Sequence, residues 1–429
     1  MSRSEALFQE ACRWIPGGVN SPVRAFRAVG GVPPFIARGE GAWVYDVDGR
    51  AYVDYVGSYG PLILGHAEPR VVEAIARAAR RGTTFGAPTE GEVALARLLV
   101  EAVPSLEEVR LVSSGTEATM SAIRLSRAAT GRAGVVKFRG GYHGHVDALL
   151  VDSGSGASTL GVPSSPGVPQ AVVSQTYLLP YNDLAAARAL FAERGHEIAC
   201  VIVEPVAGNM GVVPPEPGFL EGLRELTAAH GAVLIFDEVI TGFRVAFGGA
   251  QALYGIMPDL TCLGKIIGGG MPIGAYGGRR ELMEQVAPAG PVYQAGTLAG
   301  NPVAVAAGLT TLQILRDENP YPALEAKGAQ LAQGLAEAAR EAGVAVQIQR
   351  VGSLLGLFFA GSPVRHAADV AASDAGAFRR FFHAMLEAGI YLAPSSWEAW
   401  FISTAHGEAE IEKTVEAARK AFRLAAQGD

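Results

Sequence analysis

Three cysteines and five lysines are spread over 429 residues, and each shortage narrows what the chain can be. Cys12, Cys200 and Cys262 stand far apart with no C-x-x-C spacing, so neither a disulfide framework nor a zinc site is expected, and a reducing cytoplasm suits them. Positive charge is also short: 35 Lys and Arg against 42 Asp and Glu leave a net charge of −7. No basic stripe is available for phosphate backbones, which argues against nucleic acid as a partner and for small molecules. Uncharged apolar runs stay below the roughly 18 residues of a membrane helix, and the opening MSRSEALFQEACRWIPGG carries charges through its would-be apolar core. No membrane span or leader is expected. Asn is as scarce as Lys, a weak sign of a thermophilic or compositionally skewed source.

What is present is length and alternation. A chain this long exceeds what one hydrophobic core usually supports, so a large unit and a smaller one are expected. Residues 1–68 read as an N-terminal arm with part of a small domain: a short amphipathic helix, PGGVNSPVRAF, then strand-like pieces separated by Gly-Glu-Gly and Asp-Gly turns. From 69 to 316, helical patterns such as PRVVEAIARAARRG alternate with the apolar runs EEVRLVSS, AGVVKF, IACVIVEPV and AVLIFDEV. That rhythm predicts an α/β domain, a mostly parallel sheet between helices. Residues 317–429 read as a smaller α+β domain with strands VAVQIQ, LLGLFFA and GIYLAP. Inside the large domain, VDSGSGASTLGVPSSPGVPQ is too rich in Gly, Ser and Pro for helix or strand, and its position favours a lid over residues 153–167.

Chemistry concentrates at strand ends. AVLIFDEV delivers Asp237 and Glu238 at the carboxyl end of a buried strand, where open α/β sheets bind ligands. CLGKIIGGGMPIGAYGG then sets Lys265 alone in an uncharged, Gly-rich stretch. Among the lysines its surroundings look the least solvated, with Lys137 at the end of GVVKF the nearest rival. Ser114, Gly115 and Thr116 precede a helix and could hold a phosphate; an ordinary capping box from Ser114 to Glu117 explains them equally well. RGGYHGHVD offers Tyr142 as a plate against a flat ring, or as a rim tyrosine. Its H-x-H-x-D run has no second ligand cluster, so metal is not expected. Glu204, with Asn209 beyond it, repeats the pattern of a carboxylate at a strand end. An Asp for a pyridinium nitrogen and a Lys for a Schiff base are what pyridoxal phosphate asks of a protein.

DEVITGFR, LGKIIGGGMPIGAYGG and YQAGTLAGNP resemble the fold-type I, class III aminotransferases, dimeric pyridoxal-phosphate enzymes, and the similarity spans nearly the whole chain. PGGVNSPVRAF, GSGASTLGVPSSPGVP and PSSWEA resemble, within that class, the glutamate-1-semialdehyde 2,1-aminomutase family, which makes 5-aminolevulinate for tetrapyrroles through a diaminovalerate intermediate. The resemblance implies Lys265 as the Schiff-base lysine, Asp237 at the ring nitrogen and Tyr142 stacked on the ring of pyridoxal or pyridoxamine 5'-phosphate. It places Ser114, Gly115 and Thr116 at the phosphate, and Glu204 and Asn209 along the ring edge. Thr297 would reach the phosphate of a partner subunit, making a homodimer with shared sites. Ser21 and Arg24 would hold the distal carboxylate of the substrate, with Tyr59, Ser155 and Glu398 completing its pocket. A partnership with the upstream glutamyl-tRNA reductase is also implied.

Two stretches depart from the family pattern. SYGP, with Tyr59, stands where the family has SWGP, and SSWEAWF stands for SAFEAGF, which brings in Trp397 and Trp400 but keeps Glu398. No Arg occurs between Arg380 and Arg419, so an Arg for a substrate α-carboxylate is not expected there. Two rivals remain at this stage: a conventional class III transaminase acting on ω-amino compounds, and a non-catalytic member of the fold.

Overall fold

The computed structural model describes residues 1–151 and 165–427. Ser155 and most of the expected lid therefore lie outside the described residues. Helix α1 (Arg3–Trp14) is held at its start by a reciprocal cap: Ser2 Oγ accepts from the Glu5 amide, and Glu5 accepts from the Ser2 amide. Strands β1 (Ile36–Glu40), β2 (Trp43–Asp46) and β3 (Ala51–Asp54) form an antiparallel meander. The Asp-Gly turn between β2 and β3 is tied by Asp46 Oδ1, which accepts from the amides of Asp48 at 2.9 Å and Arg50 at 2.8 Å.

Helices α2 (Pro69–Arg81), opened by a proline in its first turn, and α3 (Glu90–Ala102) lead into the large sheet. Its strands are β4 (Glu108–Val112), β5 (Gly134–Phe138), β6 (Thr176–Leu179), β7 (Ile198–Val203), β8 (Val233–Asp237), β9 (Leu260–Gly264) and β10 (Gly274–Gly278). They lie in the order β4-β10-β9-β8-β7-β5-β6. Every neighbouring pair is parallel except those made by β10, which runs antiparallel to both β9 and β4. This is the mostly parallel sheet between helices that the alternation predicts. Strand β7 shows why it is covered on both faces. Ile198, Val201 and Val203 pack with Phe219 and Leu223 of α5 (Phe219–His230), while Cys200 and Ile202 pack with Ala122 and Leu125 of α4 (Gly115–Thr130).

After α6 (Pro302–Glu318) and α7 (Tyr321–Glu341), β11 (Gln347–Val351) and β12 (Leu354–Phe358) pair antiparallel. Helix α8 (Ala375–Glu387), β13 (Ile390–Tyr391), β14 (Trp400–Phe401) and α9 (Glu408–Ala425) finish the chain. β14 joins β12, but β13 lies parallel to β3. The GIYLAP strand thus extends the N-terminal meander instead of the C-terminal sheet, so the two ends of the chain share one sheet. Phe381 of α8 and Phe422 of α9, with centroids 4.6 Å apart, pack beside Trp400 in the core beneath. No described helix is long and apolar enough to cross a membrane.

Candidate active site

Five strands of the large sheet point their carboxyl ends at one crevice. β8 ends on Asp237, β9 hands over to Lys265, and α4 starts directly after β4. The segment after β5 brings Tyr142 and His143, and the segment after β7 brings Glu204 and Asn209. They enclose a cavity of about 390 Å³ whose walls include Ser114, Gly115, Thr116, Tyr142, His143, Glu204, Asn209, Asp237 and Lys265. Eight residues singled out from sequence are thereby brought together from positions 114 to 265.

Asp237 is fixed from two sides. Its Oδ1 accepts from the Val239 amide at 3.1 Å, and its Oδ2 accepts from Nδ1–H of buried His143 at 2.7 Å. Thr119 Oγ1 holds the carbonyl of His143 at 2.6 Å, so the imidazole has little freedom to turn. Sequence reasoning gave His143 no role. The usable signal was its place after a strand and a Gly-Gly pair, which can turn a ring inward. Glu204 acts on its own loop: Oε1 accepts from the Tyr142 amide at 3.2 Å, and Oε2 from the Gly208 amide and Asn209 Nδ2, each at 2.9 Å. Burial raises its carboxyl pKa, against the pull of nearby His143.

At the start of α4, Ser114 Oγ accepts from the Glu117 amide at 3.2 Å, but Glu117 returns its bond to Ser113 and not to Ser114. Only half of the expected capping box forms. The amides of Gly115 and Thr116 belong to the first turn, where no helical acceptor is available, and both residues line the cavity, a place suited to an anion. Gly144, at φ 84°, lets the segment after β5 press on this turn; a Cβ there would stand 2.5 Å from Thr116 Oγ1.

Lys265 opens a short 3-10 turn with φ 49°, in left-handed backbone that a lysine rarely adopts. Burial lowers the pKa of its amine, opposed by the carboxylates of Asp237, Glu204 and Glu398. Packed against it is a second strained segment: Gly57, Ser58, Tyr59 and Gly60 all have positive φ, at 51°, 56°, 64° and 123°. Such conformations cost roughly 1–3 kcal/mol at each non-glycine position and persist only where the surroundings enforce them. Asp54 holds one end, accepting from the amides of Val56 at 2.8 Å and Gly57 at 3.2 Å. Arg244 holds the other, donating to the Gly60 carbonyl at 2.5 Å. Arg244 is wholly buried, and desolvation pushes its pKa down to about 9.

Other expected residues lie apart from the cavity walls. Arg24 and Glu398 both act electrostatically on Tyr59, and Glu398 also acts on Lys265, while Ser21 offers its carbonyl to the Arg24 amide. Thr297 is exposed and lines a separate cleft with Phe85 and Asn301. Glu238 turns away from the crevice: it accepts from the amides of Ala250 and Gln251 and from Thr241, which makes it a cap for the next helix. Lysine burial also differs from the expectation. Lys137 is fully buried, its Nζ donating to the carbonyls of Leu149 and Val151 at 3.0 and 2.9 Å, whereas Lys265 is half-buried because it borders the cavity. His143 is buried against Asp237 while His145 is exposed, so the H-x-H-x-D run does not converge; among the described residues no group of three His, Cys, Asp or Glu could hold a metal.

The wall chemistry fits a flat phosphorylated pyridine: amide donors at one end, a fixed carboxylate at the other, an amine between them. The Aminotransferase class-III family model matches residues 26–417. A glutamate-1-semialdehyde 2,1-aminomutase of Desulforudis audaxviator (strain MP104C) is 62% identical over 426 residues, 99% of each chain. Among solved structures, an omega-transaminase from Sphaerobacter thermophilus superposes with a TM-score of 0.90 at 40% identity, covering 99% of this chain and 98% of its own. A glutamate-1-semialdehyde aminomutase from Pseudomonas aeruginosa PAO1, solved in complex with PMP, gives 0.87 at 30% identity over 98% and 94%. With sheet order, cavity and whole-length similarity in agreement, the chain belongs to the class-III aminotransferase family.

Proposed function

We propose that the chain is an intramolecular aminotransferase that converts glutamate 1-semialdehyde to 5-aminolevulinate through 4,5-diaminovalerate, for tetrapyrrole synthesis. The observation that carries this reading over the ω-transaminase one is the 62% identity to an aminomutase along the whole chain. The cavity supports it: among the described residues on its walls none is an arginine, and the charge that reaches Lys265 from the C-terminal segment is the carboxylate of Glu398. A substrate with an aldehyde in place of an α-carboxylate needs no arginine there.

Bound at this site, pyridoxal or pyridoxamine phosphate supplies an exchangeable amine and an electron sink. The Gly115 and Thr116 amides, with the hydroxyls of Ser114 and Thr116, would hold its phosphate. Asp237, kept in place by His143, would serve the ring nitrogen; Tyr142 would cover the ring, and Glu204 and Asn209 would line its edge. Lys265 Nζ, its pKa lowered by burial, takes up a proton on one side of the exchange and returns it on the other. Arg24 and Ser21 hold the distal carboxylate beside Tyr59. Thr297 from a second copy of the chain completes the phosphate site, so the working unit is a homodimer. Handover of the labile aldehyde from the reductase that makes it belongs to the same reading.

Purified protein given glutamate 1-semialdehyde alone should form 5-aminolevulinate. Activity confined to an amine donor plus a keto acid would establish the ω-transaminase reading instead. Lys265→Ala should lose both turnover and the visible absorbance of the lysine-bound cofactor; steady-state turnover surviving that change removes Lys265 from its role.

A further inference from the structure

Arg244 is a buried cation that the chemistry above does not use. Among the described residues no carboxylate lies within ion-pair distance of it, and its Nε has no hydrogen-bond partner. Burying a charge without a counter-ion is unfavourable, so the position needs another justification. Its guanidinium donates to carbonyls from two remote parts of the chain: Gly60, at 2.5 Å, and Ile402, at 2.9 Å. A further contact runs to Ser353 Oγ at 3.3 Å, and the Phe401 ring lies under the guanidinium carbon at 5.5 Å.

What the Gly60 bond secures is the run of left-handed residues from Gly57. That turn sits directly on the reactive amine's stem: a Cβ on Gly60 would stand 3.0 Å from Lys265 Cδ and 3.2 Å from the Phe401 ring. Asp54 secures its beginning from the opposite side. Between the two clamps Tyr59 is held where both Arg24 and Glu398 act on it.

We propose that Arg244 is a positioning residue of the active site: by gripping the Gly60 carbonyl and anchoring to Ile402, it locks the left-handed Gly57–Gly60 turn that walls the Lys265 side chain and presents Tyr59. The planar fork is essential, because one nitrogen reaches Gly60 while the other reaches Ile402. A lysine offers a single point of attachment and cannot hold both. The inference rests on Lys265 being the reactive amine.

The test compares Arg244→Lys and Gly60→Ala in the full-length holoenzyme by melting temperature, kcat and KM for glutamate 1-semialdehyde, and visible circular dichroism of the bound cofactor. Each variant should lower kcat by about 100-fold, the effect of shifting a reacting group by about an ångström. KM should rise by a smaller factor than kcat falls, since Tyr59 borders the substrate whereas the turn's closest contact is with the Lys265 stem. The dichroic band should change, because the held geometry changes. Ser58→Gly added to Arg244→Lys should recover about one-tenth or more of the lost kcat, as glycine holds left-handed backbone without a clamp. An Arg244→Lys enzyme with kcat within about threefold of the parent and an unchanged band overturns the inference. So does a loss confined to melting temperature, or a kcat loss that Ser58→Gly leaves untouched. If Arg244→Lys does not fold, Gly60→Ala reads the same turn from its other side. Lys265→Ala, made alongside, separates the premises: turnover surviving there sinks the reading of Lys265, whereas a dead Lys265→Ala beside a fully active Arg244→Lys sinks only the role of Arg244.

Discussion

Asp237 can serve a ring nitrogen only if its carboxylate stays ionised and aimed, and His143 is the residue that aims it. The 2.7 Å bond comes from an imidazole that is itself tethered through its carbonyl by Thr119. His143→Phe keeps the bulk and removes the donor. It should lower kcat by up to about 100-fold and weaken cofactor retention, both measured on the purified holoenzyme. Asp237 and Lys265 were legible in the sequence because charge in an apolar stretch is conspicuous. His143 was not, since a histidine beside a second histidine suggests a metal before it suggests a second hydrogen-bonding layer. Arg244 stood in plain view within DEVITGFR, yet nothing local tells that its partners lie at positions 60 and 402. Lys137 shows the converse: burial alone does not mark a reactive amine, because backbone carbonyls can satisfy one.

At the scale of elements, the site is a set of strand ends completed by one helix start. Ser114 serves both, capping α4 through the Glu117 amide while standing in the cavity wall. Ser114→Ala should cost about 1 kcal/mol of stability, seen by denaturant unfolding of the cofactor-free protein. It should also speed cofactor loss on dialysis, and unchanged retention would detach this hydroxyl from the phosphate site. The parallel sheet was readable from its alternating apolar runs. The pairing of β13 with β3 was not, because a two-residue strand carries no periodicity and its partner lies at the other end of the chain.

For the whole molecule, the exposed placement of Thr297 gives the shared-site reading a direct check. Mixing Lys265→Ala with Thr297→Arg chains should restore about a quarter of parental activity, because half the sites in each hybrid dimer carry neither lesion. Recovery of nothing would mean that each protomer is self-sufficient. Acid stability is a second global property. His406 Nδ1 accepts from the Ser403 amide at 3.0 Å and hydroxyl at 2.9 Å, so the ring must stay neutral, and burial pushes its pKa down from 6.5 to about 4. A depressed histidine stabilises the fold fully above its unfolded pKa, and that contribution is lost as pH falls through the folded one. Between pH 6.5 and 5 the parent should lose about 2 kcal/mol more than His406→Gln, measured by denaturant unfolding at each pH.

The antiparallel strand β10 also sets an order in time. β4 is an edge strand whose neighbour in the sheet is β10, a strand far downstream in the chain. A nascent chain that has just made β4 therefore has no strand to pair it with until β10 leaves the ribosome. Lys265 emerges shortly before that moment. The turn from β4 into α4, where Gly274 of β10 packs so closely that a Cβ on it would stand 2.2 Å from the Ser114 carbonyl oxygen, thus gains its strand support only after the reactive lysine has been made.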